Sequence, residues 1–381
     1  MIYLDNAATT KTDPKVVEAM LPYFTENYGN AGTIYGLGSK AKKAMNQSRR
    51  VIAESLGAKE DEIYFTAGGS ESDNWALISV AESYASKGKH IITSCIEHHA
   101  VLHTCEYLEK RGYDVTYLPV DEYGLVRIED LKKAIRPDTI LISIMFANNE
   151  IGTIEPIEEI GAVARENDIL FHTDAVQVYG QLPIDVEEYH IDLLSASAHK
   201  FHGPKGVGFL YIRDGIKMGS LIHGGAQERN RRAGTQNIPG IVGMGVAATL
   251  SMGNMEQTIA HETMLRQHLI SRLETEIADC KVNGHREKRL PGNVNVSFPF
   301  LEGESMLIML DMKGICASSG SACTSGSIDP SHVLTAIGLN AKEAKGSLRL
   351  TLSGENTLEE VDEAVDAIKE IAERLHSMKI G

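Results

Sequence analysis

The sequence predicts an α/β fold: a mostly parallel, seven-stranded sheet wrapped by helices, followed by a smaller α+β domain. Two observations carry this expectation. Over the first two-thirds of the chain, short apolar runs of the kind buried on both faces alternate with helical patterns, which marks a parallel sheet covered on both sides. After about Gly240 the pattern changes to one long helical stretch, then an alternating strand, then a tract of small polar residues.

The strand candidates are, in order, Glu62–Thr66, His90–Ser94, Asp114–Val120, Thr139–Phe146, Ile169–Thr173, Asp192–Ala196 and Val207–Ile212. Helical patterns such as Ser72–Ser86 and Ala100–Lys110 fill most of the gaps. Ligands of such sheets bind beyond the carboxyl ends of the strands, so the chemistry is expected just after these runs. The long helical stretch reaches roughly Cys280, and Val294, Val296 and Phe298 then alternate along Asn293–Phe298. The chain closes with a strand at Ser347–Leu352 and a helix that opens on the capping-box form Thr357 to Glu360. Val361, Ala364, Val365, Ile368, Ala372 and Leu375 make that helix's apolar stripe.

The chain has 381 residues, 43% of them hydrophobic, enough for a full core and two domains. A net charge of −15 and the lack of a long Lys/Arg run argue against nucleic acid as a partner. The N-terminus has no basic region followed by an apolar stretch, and no window is expected to reach a membrane span, so the protein is expected to be cytoplasmic. Five cysteines at irregular spacings, with no Cys-x-x-Cys pair, fit neither a disulfide framework nor a cysteine zinc site. Free thiols are expected, and no metal.

The ends of the strands carry polar residues that a core does not need. Asp174 ends Ile169-Leu170-Phe171-His172-Thr173-Asp174, and Lys200 ends Asp192-Leu193-Leu194-Ser195-Ala196-Ser197-Ala198-His199-Lys200. Such a pair suits pyridoxal phosphate, which needs a lysine to hold its aldehyde as a Schiff base and an acid to keep its pyridine nitrogen protonated. It also suits a buried ion pair. Gly68-Gly69-Ser70 follows a strand and opens a helix, so free N–H groups and the positive helix end would face an anion, with Ser197 and His199 as further phosphate donors. The same three residues suit a plain turn and N-cap. Cys323 lies in Ser318-Ser319-Gly320-Ser321-Ala322-Cys323-Thr324-Ser325-Gly326-Ser327, too small and polar to pack a core around the thiol. A cysteine on a mobile surface loop can carry sulfur chemistry between sites, or be an incidental residue of a linker.

Together, His172–Gln177, Ser195–Lys200, Met145–Gly152, Tyr3–Thr10 and Ser318–Ser327 resemble the motifs of the group I, NifS/IscS-like cysteine desulfurases of the class V aminotransferase family. The resemblance spans nearly the whole chain, and the tract around Cys323 is its most specific part. It implies the pyridoxal-phosphate fold type I, a homodimer, a large domain over 15–255 and a small one over 1–14 and 256–381. The implied reaction turns L-cysteine into L-alanine and leaves the sulfur as a persulfide on Cys323, for an acceptor such as an iron–sulfur scaffold or a tRNA-thiolating enzyme.

Carried over position by position, the resemblance implies that Lys200 holds the cofactor and then carries protons. Asp174 pairs with the pyridinium nitrogen, Gln177 with the ring hydroxyl, and His98 stacks on the ring and acts as acid and base. Gly69, Ser70, Ser197 and His199 bind the phosphate with Thr235 of the partner subunit. Asn149 orients ring and substrate, and Arg349 grips the substrate carboxylate. A selenocysteine lyase or another pyridoxal-phosphate enzyme of this fold is the alternative reading, and a non-enzymatic sulfur carrier would need no Lys200 linkage. The chain departs from the family pattern at Gly29–Tyr35, where a proline is replaced and a glycine gained, which predicts a looser segment.

Overall fold

The computed structural model describes residues 1–299, 301–319 and 330–380, the last three by backbone alone. Its strands are β1 (Ile2–Tyr3), β2 (Ile63–Thr66), β3 (His90–Ser94), β4 (Asp114–Leu118), β5 (Thr139–Ser143), β6 (Leu170–Asp174), β7 (Leu193–Ser197), β8 (Gly208–Ile212), β9 (Lys281–Val282), β10 (Asn293–Ser297), β11 (Ile315–Cys316) and β12 (Ser347–Thr351). Seven of them form one sheet in the order β2-β8-β7-β6-β5-β3-β4. All neighbours are parallel except β8, which runs antiparallel to both β2 and β7. The expected architecture is therefore present. Helices cover both faces, which is why β3, β5, β7 and β8 are buried at every residue.

The end of one strand differs from expectation for a local reason. The run from Thr139 to Phe146 leaves the ladder with β3 after Ser143, because the amide of Met145 donates to Glu97 Oε1 at 2.9 Å and so bonds a side chain in place of a strand carbonyl. That diversion carries Met145, Ala147 and Asn149 over the end of the sheet. The Gly29–Tyr35 segment contains a local turn. Thr33 donates from both its amide and its hydroxyl to the Asn30 carbonyl, at 3.1 and 2.7 Å, and a Cβ on Gly38 would collide with Thr33.

A second core, made by Leu4, Leu265, Leu269, Leu273, Val294, Val296, Leu348, Leu350, Val361 and Ile368 among others, lies around the antiparallel sheet β12-β10-β9 and the parallel pair β1-β11. The helix Ile238–Glu276 joins the two cores. At 1.5 Å per residue it is about 58 Å long, and it gives Ile241, Met244 and Ala248 to the first core and Leu265, Leu269 and Leu273 to the second. By length and composition it would also cross a membrane, contrary to the expectation that no window does so. Half of its apolar window is buried in the fold, and burial against two cores explains its composition. The last helix, Leu358–Ile380, opens on the expected reciprocal cap, with Glu360 N donating to Thr357 Oγ1 and Thr357 N to Glu360 Oε2.

Candidate active site

The carboxyl ends of β2, β3, β5, β6 and β7 surround a cavity of about 190 Å³. Gly69, Ser70, His98, Asn149, Asp174, Gln177, Ser197, His199 and Lys200 all line it, each from the last residue of one of these strands or from the segment just after it. Nine residues separated by up to 131 positions in sequence thus meet at one place, where a parallel sheet is expected to bind its ligand.

One end of the cavity suits an anion. The helix Gly69–Ser83 begins there with Gly68 at its N-cap and no side-chain cap, so its first amide groups point outward with the positive helix end. Gly69 is required by space, since a Cβ would lie 2.5 Å from Val176 Cγ2. Ser197 and His199 add polar atoms. Burial, and then the charges of Lys200 and Lys205, push the His199 imidazole down to about 4, so it is neutral at pH 7, with Nδ1 3.1 Å from the Thr9 hydroxyl.

The opposite end suits a cation or a strong donor. Burial raises the Asp174 carboxyl to about 6, against the lowering effects of the Val176 amide, which donates to Oδ1 at 2.9 Å, and of Lys200. Asp73 is fully buried beside it and pushed well up, by burial first and by Asp174 second, and its Oδ1 has no hydrogen-bond partner among the described residues. Asp73, His98 and Asp174 each bring one ligand atom within 4.8 Å of the others. His172, pushed down to about 3 by burial, sits under this pair with its ring nitrogens on the hydroxyls of Ser143 and Ser195, at 2.8 and 3.0 Å.

Lys200 stands between the two ends and donates to the carbonyls of Ala7 and Ala8, at 2.5 and 2.8 Å, while Gln177 Nε2 donates to Ala7 at 3.0 Å. His98 is the N-cap of helix His99–Glu109. Its Nδ1 accepts from the Ala100 amide at 3.1 Å, which can only donate, so the proton of the neutral ring is on Nε2. Burial, and then Lys200, pushes this imidazole down to about 4. Asn149 is presented by an Asx turn in which Asn148 Oδ1 accepts from the amides of Glu150 and Ile151.

Three of the expected residues do not line the cavity. Arg349, on β12, is buried one step behind it and donates to the Asn149 carbonyl at 3.1 Å and to Asp5 Oδ1 at 2.9 Å. Thr235 is exposed. Cys323 lies outside the described residues, but both flanks of its tract are fixed close to the cavity. Ser318 bridges Arg349 backbone to backbone, and the Ser331 hydroxyl donates to Glu150 Oε2 at 2.5 Å. Sequence reasoning missed Asp73, the only carboxylate besides Asp174 that the described residues place on the cavity wall. Its signal was a position one helical turn after Gly69, on the face that Gly69 turns inward.

The chain matches the class-V aminotransferase family over residues 2–364. It is 57% identical over 377 residues to "Cysteine desulfurase IscS" of Methanosarcina thermophila, covering 99% of this chain and 93% of that one. It is 54% identical over 379 residues to the protein of the same name from Clostridium botulinum, with 99% and 96% covered. The chain belongs to the cysteine desulfurases of the class-V aminotransferase family. A solved "NifS-like protein" superposes with a TM-score of 0.93 at 41% identity, over 98% of this chain and 99% of that one. The structure of "SspA in complex with cysteine" does so at 0.81 and 40%, over 94% and 100%. The protein is thus a pyridoxal-phosphate enzyme, and its cavity fits the cofactor by its own chemistry. A buried acid pair faces the place for a protonated ring nitrogen, an uncapped helix start faces the place for a phosphate, and an amine stands between them.

Proposed function

We propose that this desulfurase takes the sulfur of L-cysteine onto Cys323, leaves L-alanine, and passes the sulfur from the persulfide to an acceptor protein such as an iron–sulfur scaffold. When bound, pyridoxal phosphate supplies the electron sink that lets the substrate's Cα proton leave. Each of the surrounding residues has a task. Asp174 keeps a cationic ring nitrogen paired, the Gly69–Ser70 turn with Ser197 and His199 holds the phosphate, and Arg349 is the buried cation nearest Asn149 for a carboxylate. Lys200 moves the proton between Cα and solvent, and His98 gives or takes one at Nε2.

The Cys323 thiolate then attacks the substrate sulfur. An S–S bond forms as the C–S bond breaks, and the electron pair left on Cβ takes up a proton to become the methyl group of alanine. The three described thiols with a shifted titration suit this role poorly. Burial raises Cys95 and Cys105 and pushes Cys280 up to about 12, which keeps them protonated at pH 7.

The observation that carries the reading is the anchoring of Ser318 and Ser331, on either side of the Cys323 tract, to Arg349 and Glu150 beside the cavity. We further propose a homodimer that works in the cytoplasm, with Thr235 serving the partner's phosphate site. Thr235 supports this by being exposed and absent from the wall of its own cavity, which leaves it available to a partner. The test is alanine and sulfide formation from L-cysteine by the holoenzyme and by Cys323→Ser. Loss of turnover with the cofactor's visible absorption retained is expected, and continued desulfuration by the variant would exclude Cys323 as the sulfur carrier.

A further inference from the structure

From His98 on the cavity wall, three further histidines, His99, His103 and His332, run towards the surface. Their exposed end has the composition of a metal site. His99 and His103 are one turn apart on helix His99–Glu109, with ring centroids 5.1 Å apart, and His332 comes in from helix His332–Ala336 with its centroid 4.8 Å from His99. Two histidines at i and i+4 share one helix face, and a third from another element gives three nitrogen ligands. With Zn–N bonds near 2.1 Å and each ring centroid roughly 1.1 Å further out, three imidazoles on a tetrahedral ion have centroids about 5 Å apart, the spacing of the two pairs His99–His103 and His99–His332.

The protonation states suit ligands as well. His332 Nε2 is 3.0 Å from the Glu97 carbonyl, which can only accept, so Nε2 carries the proton and Nδ1 keeps its lone pair. A second-shell carbonyl on the far ring nitrogen is the usual way a ligating histidine is oriented. Glu106, one turn beyond His103, adds negative charge beside His99. As the rings stand, their nitrogens do not all lie within 4.8 Å of one another, so binding needs a ring rotation, most freely made by His103. That residue is exposed and has the room to turn.

We propose that His99, His103 and His332 bind one divalent transition-metal ion of the zinc or cobalt class, at a site separate from the cofactor cavity. The fourth position is left to water or Glu106. An ion held there ties the helix capped by His98 to helix His332–Ala336, so occupancy stabilises the fold.

The test is titration of the holoenzyme with Co²⁺, read by its visible d–d absorption, and with Zn²⁺, read by thermal unfolding, each reversed by a chelator. One ion per protomer and a Tm rise of several degrees are expected. His103→Gln, at an exposed position away from the cofactor, is expected to keep desulfurase activity in chelator and to lose on the order of 10- to 100-fold in metal affinity. His332→Gln is expected to lose as much, and Cys323→Ser nothing. Less than a threefold loss in His103→Gln overturns the site, as does binding that depends on Cys323. Binding that appears only in cofactor-free protein would place the ion on Asp73, His98 and Asp174 and also overturns it.

Discussion

Arg349 and Asp5 are joined at 2.9 Å, Nη2 to Oδ1, with the arginine side chain 2% exposed and its Nε buried without a partner among the described residues. A buried guanidinium with one unused donor is prepared for a second anion. Replacing Arg349 by Lys keeps the charge and loses the planar fork. Truncating one partner of a buried charge pair typically costs 2–5 kcal/mol, so KM for L-cysteine is expected to rise by roughly 30-fold or more, with a smaller fall in kcat. Steady-state alanine formation measures both, and an unchanged KM would show that the substrate carboxylate binds elsewhere.

Gly69 has no room for a side chain because Val176 Cγ2 would be 2.5 Å from its Cβ. Gly69→Ala is expected to displace the turn that cradles the phosphate and to weaken cofactor retention, seen as faster loss of visible absorption on dialysis. The contact is with the end of a side chain. Adding Val176→Ala should restore retention, and failure of that rescue would mean that the glycine is needed for backbone conformation.

Asp174→Asn keeps an oxygen for the Val176 amide and removes the charge that pairs with a ring nitrogen. The variant is expected to fold and to load the cofactor more weakly, with kcat down by roughly 100-fold or more, within the range credited to positioned acid–base and charge effects. Lys200→Ala is expected to abolish the absorption of the lysine-bound cofactor altogether. Spectra before and after L-cysteine separate the two outcomes.

Glu97 is fully buried, and burial pushes its carboxyl up to about 8, while Oε1 accepts from Ser94 Oγ at 2.6 Å and from the Met145 amide. Its folded-state pKa lies above the unfolded value near 4.5, so the folded state holds the extra proton between these values. The stability it contributes is complete below pH 4.5 and is lost as pH rises through 8. Glu97→Gln removes this titration and should flatten the stability profile over that window, by an amount on the order of a few kcal/mol. Urea unfolding at pH 5 and pH 8 measures it. A variant that loses stability equally at both values would show that Glu97 is already ionised in the native protein.

Much of this was legible in the sequence because it rests on local chemistry. Asp174 and Lys200 stood at the ends of apolar runs, and the Gly68-Gly69 turn preceded a helix, so period and punctuation alone located them. Asp73 was not legible in this way. One acid within a helical pattern looks like a solvated face until the sheet beneath that face is known. The diversion at Ser143 was hidden too, since it depends on Glu97, 48 positions from Met145, reaching it from the turn after β3. Arg349 could be assigned a task from its motif, but its tie to Asp5 required the segment after β1 to be placed beside β12.

That last pairing bears on how the protein is made. The Ala7 carbonyl meets Lys200 across 193 positions, and the segment that presents it is held at Thr351 by Asn6 and Ala7, across 345 and 344. At about 5–20 residues per second, the first residues leave the ribosome roughly 20–70 s before the strand that fixes them has been synthesised. Until then Lys200 lacks its carbonyl partners and the cavity lacks one wall. Capture of the cofactor therefore belongs to the end of biogenesis, and a nascent chain arrested before β12 should carry a folded central sheet with no yellow colour.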